Sequence, residues 1–130
     1  MYRWVDHTAE VELAIEAADE RGVFEDALSA LAELLGFGST PATEERTLAV
    51  EAADRPALLA TWLEELAFLA ESQGFVATRL KRCDLAEERL DAVVSGLVDE
   101  PPPLVKAVTY HRLSFEARDE RYFASVVLDV

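Results

Sequence analysis

The hydrophobic spacing of this chain changes period at Gly74 and does not change back, and that switch restricts the folds open to it. Before Gly74, apolar residues recur at three- and four-residue steps in two stretches. Phe24, Ala27, Leu28, Leu31, Leu34 and Leu35 make one stripe, ended by Gly36 and Gly38. Leu59, Trp62, Leu63, Leu66, Leu69 and Ala70 make the other, ended by Gly74. Steps of that size line one face of a helix, and a glycine just past the stripe is a stop. Asp54 reads as the N-cap of the second helix, with Pro56 in its first turn, where a missing N–H costs nothing.

Beyond Gly74 the segments 75–82, 88–98, 105–116 and 121–130 read as strands. Asp84 to Glu88 and Asp119-Glu120 mark turns without glycine, so their turn type is open. Ahead of the helices, residues 4–17 read as one half-buried strand. Val11, Leu13, Ile15 and Ala17 fall on one face, and Glu10, Glu12 and Glu16 on the other. Leu48, Val50 and Ala52 suggest another short strand. Asp99-Glu100-Pro101-Pro102-Pro103 is a stiff, extended loop that cannot pair in a sheet. The expectation is an α+β chain of one domain, residues 1–130, with two amphipathic helices packed on one face of a mostly antiparallel or mixed sheet of about six strands. The order of elements leaves no room for a doubly wound fold.

A chain of 130 residues can bury a real core, and a hydrophobic fraction of 51% argues against disorder. No apolar run approaches the roughly 20 residues that cross a bilayer. The start, Met1 to His7, has no apolar signal region, and Cys83 is the single cysteine. Both fit a reduced, cytoplasmic setting. The net charge of −14, from 26 acidic and 12 basic residues, bears on partners. Nucleic-acid binding is driven by Lys and Arg neutralising phosphates. The only tight basic cluster is Arg79, Lys81 and Arg82, so RNA, DNA and anionic membranes should be repelled. A basic protein partner fits the charge; so does acidity that serves solubility alone.

Three short stretches carry chemistry: Asp6-His7-Thr8-Ala9-Glu10, Val105-Lys106-Ala107-Val108-Thr109-Tyr110-His111, and Asp129-Val130 at the end. Were the ends to meet, Asp6, Glu10, Asp129 and the terminal carboxylate of Val130 would share one small volume. Carboxylates so gathered resist ionising together unless a cation or proton joins them. On an extended segment Asp6, Thr8 and Glu10 point to one side, offering hard oxygens to Ca²⁺, Mg²⁺ or Mn²⁺. The plain alternative is a polar strand edge and a solvated terminus. In the second stretch Val105, Ala107, Thr109, His111 and Leu113 would share a face, opposite Lys106, Val108, Tyr110 and Arg112. His111 can be a ligand, an acid–base group, a partner-facing residue or a hydrogen-bonded structural one. With His7 the only other histidine, a histidine-rich zinc site is excluded. Nothing ties Cys83 to either histidine, and no phosphate-cradling glycine loop is present.

Taken in order and at this spacing, the three stretches resemble those of archease, over essentially the whole chain. The resemblance implies a protein that is not itself an enzyme but assists the RtcB-type RNA ligase, which joins RNA ends using GTP and Mn²⁺. It implies promotion of guanylylation of the ligase's active-site histidine, multiple turnover, and service in tRNA splicing or RNA repair; the net charge of −14 adds the expectation of no direct contact with nucleic acid. It also implies a divalent metal, Ca²⁺ or Mn²⁺/Mg²⁺, held by Glu10, Asp129 and Val130, with Asp6, His7, Lys106 and His111 facing the partner or supporting the ligands. Glu10 departs from the family's usual aspartate. Its extra methylene moves the oxygens outward by roughly one C–C bond, which bears on metal affinity and choice. Two rival readings are a metal-dependent phosphoesterase, with His7 or His111 as base, and an acidic chaperone or scaffold.

Overall fold

A computed structural model describes residues 1–130 apart from Thr8 and the side chains of Asp6 and His7. Among the described residues the chain forms β1 (Tyr2–His7), β2 (Glu10–Ala17), α1 (Glu20–Leu34), β3 (Glu44–Glu51), α2 (Arg55–Gln73), β4 (Phe75–Leu85), β5 (Arg89–Val98), β6 (Ala107–Arg118) and β7 (Arg121–Asp129). The class is the expected α+β. The strands divide between two sheets, ordered β1-β2-β7-β6 and β3-β5-β4, and every pairing is antiparallel. Both helices touch both sheets: α1 packs on β2 and β4, and α2 on β6 and β4.

The strand count exceeds the expected six because residues 4–17 are not one strand. The chain doubles back after His7, which pairs with Glu10 across a two-residue connection. Ala9 there has a φ of 59°. Left-handed backbone at an alanine is uncommon, and neither Thr8 nor Ala9 announces a turn. The division into two sheets has a different cause. Period-2 patterning marks a strand but not its neighbour, and here the first and last strands build one sheet while the middle builds the other.

Local signals fixed the helices. Asp54 accepts a hydrogen bond from the Ala57 amide at 2.8 Å and Pro56 lies in the first turn. Asp19 caps α1 the same way, from the Gly22 amide at 2.7 Å. Each such cap contributes about 1 kcal/mol. Gly74 ends α2 with a φ of 67°, and a Cβ there would stand 2.5 Å from the Asp99 carbonyl oxygen. Conformation and space both require glycine at that position. The stripes point where their spacing directs them: Phe24, Ala27, Leu28, Leu31, Leu59, Trp62, Leu63 and Leu66 are buried together with Leu13, Ile15, Val126 and Leu128 of the larger sheet. Trp62 donates from Nε1 to the Phe24 carbonyl at 3.0 Å, tying α2 to α1.

The Asp119-Glu120 turn resolves as well. Both residues have positive φ, 51° and 62°, between paired Arg118 and Arg121. That is the type I′ pattern whose twist suits a hairpin, here without its usual Asn-Gly. No described helix is long and apolar enough to cross a membrane.

Candidate functional site

Antiparallel pairing places directly opposed residues on the same face of a sheet, with Cβ atoms about 4.5–5.5 Å apart. In the larger sheet, Val11, Leu13 and Ile15 of β2 oppose Leu128, Val126 and Ala124 of β7, on the side turned to the helices. The other face therefore carries Glu10 opposite Asp129, Glu12 opposite Val127 and Ala14 opposite Ser125. On the far side of β7, Ala107 opposes Asp129 and Thr109 opposes Val127. The chain's two ends are thus adjacent strands, and two carboxylates face one another across them.

Backbone hydrogen bonds hold this corner in register. The Lys106 amide donates to the Asp129 carbonyl at 2.8 Å, and the Val130 amide to the Ala9 carbonyl at 3.4 Å. The second bond holds Val130 beside Ala9 in the β1–β2 connection. Glu10, Asp129 and Val130 are all half-buried. Asp6 and His7 join the same sheet through their backbones, paired with Val11 and Glu10. Their side chains and Thr8 lie outside the described residues, so the expected contribution of Asp6 to the cluster lies outside them too.

One expectation is corrected. The alternation that would put His111 on one face with Ala107 and Thr109 stops at Thr109. Tyr110 to Leu113, four residues of β6, face the single residue Val126 of β7. Arg112 within this wide bulge has a φ of 57°, which a β-rich sequence without glycine does not reveal. His111 consequently sits exposed in the bulge and outside the ladder. Lys106 and Val105 precede β6 rather than lying in it.

The bulge brings in groups that the spacing did not single out. The Arg112 guanidinium reaches across the face to within 3.6 Å of Glu12 Oε1 and 4.0 Å of Glu10 Oε2. Ser125 donates to Glu12 Oε2 at 3.1 Å. Val127 is fully buried although it points away from the helices. The Thr109 hydroxyl, in the row below Asp129, is buried without a hydrogen-bond partner among the described residues. Arg112 does follow His111 directly in sequence, but only the bulge turns it toward the carboxylates.

The donor set suits a hard cation. The Glu10 and Asp129 carboxylates offer only oxygen, the chemistry of Ca²⁺, Mg²⁺ and Mn²⁺ sites, and like charges directly opposed across strands are destabilising until something positive joins them. Among the described side chains no group of three His, Cys, Asp or Glu is assembled as a ready cage. A cation here would therefore rest on the two side-chain carboxylates, with Val130 beside them. Nucleophilic chemistry finds no support: Cys83 lies in the smaller sheet opposite Ala92, and burial pushes its thiol up, away from the thiolate. A larger cavity of about 640 Å³ lies on the smaller sheet around Arg79 and Lys81, but Lys81 is already bonded to Glu45 at 2.8 Å.

Fold and site together define a small acidic α+β protein with two carboxylates opposed where its strands β2 and β7 pair. The family model described as the Archease protein family covers residues 2–130. Protein archease of Archaeoglobus fulgidus is 33% identical over 143 residues, covering 99% of this chain and 98% of that one. Protein archease of Methanosarcina acetivorans is 29% identical over 139 residues, with 99% and 95% covered. The solution structure of protein 1598 of Methanobacterium thermoautotrophicum superposes with a TM-score of 0.81 at 28% identity, over 99% of this chain and 98% of that one. A crystal structure from Thermotoga maritima, of an archease described as a possible chaperone, shares the fold with a TM-score of 0.66 at 23% identity, covering 100% and 98%. The chain belongs to the archease family.

Proposed function

We propose that this chain is a non-catalytic activator of an RtcB-type RNA ligase, promoting guanylylation of the ligase and its multiple turnover in tRNA splicing or RNA repair. A divalent cation, Ca²⁺ or Mn²⁺/Mg²⁺, would be held by Glu10, Asp129 and Val130. Family membership supports the role, and the single observation that carries the site is the register that sets Glu10 opposite Asp129. The cation would add positive charge to a corner where, among the described side chains, Glu10, Glu12 and Asp129 stand with Arg112 beside them. The chain's own residues present that corner: β2 and β7 hold the carboxylates, and the Lys106–Asp129 backbone bond fixes where β6 begins. A surface of net charge −14 suits a ligase made basic by its need to hold RNA.

The test mixes the chain with the RtcB-type ligase of the same organism and follows covalent GMP attachment in the presence of Mn²⁺. Stimulation that persists through successive turnovers is expected; guanylylation at the ligase's own rate sinks the proposal. The chaperone or scaffold reading, which the description of the Thermotoga structure also carries, gives no metal dependence and no preference for this partner. A phosphoesterase would release phosphate from model esters under the same conditions without any ligase.

Arg112 gives this site a specific signature. Its guanidinium stands beside Glu10, where it partly neutralises the carboxylates that a metal would need. Arg112→Gln should therefore tighten Ca²⁺ or Mn²⁺ binding roughly fivefold by calorimetry, the scale of about 1 kcal/mol set for an exposed ion pair. Weaker binding in the variant would instead make Arg112 a support for the site.

A further inference from the structure

The same end of β6 borders a second feature, on the helix side of the sheet. Glu64, Phe68 and Glu71 follow one another at helical spacing along α2, and with Ala67 they face the segment Val105–Val108 across a furrow of about 340 Å³. The furrow continues past Ala67, Glu71 and Val105 to Pro103 and Leu104. Phe68 is 58% exposed and Leu104 39% exposed, both large apolar side chains on a strongly acidic protein. Single exposed hydrophobics are ordinary, but two of them along one furrow of mixed lining, with apolar side chains beside Glu64 and Glu71, mark an interaction surface. β6 is also the edge of its sheet among the described residues.

We infer that this furrow is a docking groove for an extended segment of a basic protein partner, one apolar side chain seated against Phe68 and flanking Lys or Arg residues meeting Glu64 and Glu71. The commitment to a basic occupant comes from the rim, where two carboxylates outnumber Lys106, and from the net charge of −14 behind it. The free edge of β6 offers backbone groups to an extended chain, so main-chain bonds would add to the side-chain contacts. The groove adjoins the carboxylate corner: Lys106 lines it while its amide holds the Asp129 carbonyl. A partner seated there is anchored within one residue of the corner it would act with. This inference rests on the proposed ligase reading and names the surface that reading requires.

The test measures binding of the full chain to the intact RtcB-type ligase by biolayer interferometry, across a salt series. Phe68→Ala is expected to weaken binding at least tenfold, with an unchanged melting curve because the ring is exposed. Glu64→Lys with Glu71→Lys should weaken it comparably and flatten its salt dependence. If wild type binds and both variants bind as tightly, the groove is overturned while the ligase reading stands. If wild type stimulates no guanylylation and does not bind, both fall together.

Discussion

Asp129→Asn should abolish stimulation of ligase guanylylation and lower Ca²⁺ or Mn²⁺ affinity by more than tenfold, while leaving the fold intact or slightly more stable. The substitution keeps size and shape and removes one negative charge. The bonds that hold the corner are made by the Asp129 carbonyl and the Val130 amide, which the side chain does not touch. β7 therefore stays between β2 and β6. With Asn at 129, the opposed pair no longer repels, which is why the metal-free variant should melt no earlier than wild type and by a small margin later. A purely structural Asp129 gives the opposite pattern, a lower melting temperature with stimulation in proportion to folded protein. Calorimetry with each cation, a melting curve without metal, and a covalent GMP assay separate the two outcomes. Full stimulation by the folded variant ends the case for the carboxylate corner.

The second large effect is on stability. Trp62→Ala should cost about 3–5 kcal/mol, as expected for emptying a large aromatic site. Trp62 is fully buried, meets Phe24 edge-on with ring centroids 6.4 Å apart, and bonds the Phe24 carbonyl. It thus links α2 directly to α1. Trp62→Phe retains most of the apolar volume and loses the N–H, so it should cost only about 1–2 kcal/mol. Urea unfolding of the three proteins checks both numbers. A loss below about 1 kcal/mol for the alanine variant would mean the helices are held mainly by the sheets.

How far these features were legible varies with the range of the interaction behind them. The helices were readable because their determinants are local: Asp54, Pro56 and Gly74 act within a turn of themselves, and the apolar stripes need only a period. The strands after Gly74 were readable for the same reason. What was not readable was partnership. Nothing in residues 44–51 says that β3 pairs with β5 rather than with β2, so one sheet was expected where there are two. The β1–β2 turn was hidden because Ala9 takes a conformation usually left to glycine or asparagine. At the site, the carboxylates stood out as residue types, and the pairing of the ends that gives them meaning is a register the sequence only permits. Arg112 was invisible as a participant, because the bulge that turns it toward Glu10 is a backbone irregularity with no residue signature here.

The position of β7 has a kinetic corollary. A nascent chain can close its first hairpin and both helices early, yet β2 has no neighbour on its inner side until residues 121–129 arrive, across more than a hundred intervening residues. Closing so wide a loop is entropically slow. The carboxylate corner is therefore among the last parts of the molecule to assemble, and an incompletely folded chain presents a naked strand edge in place of a cation site.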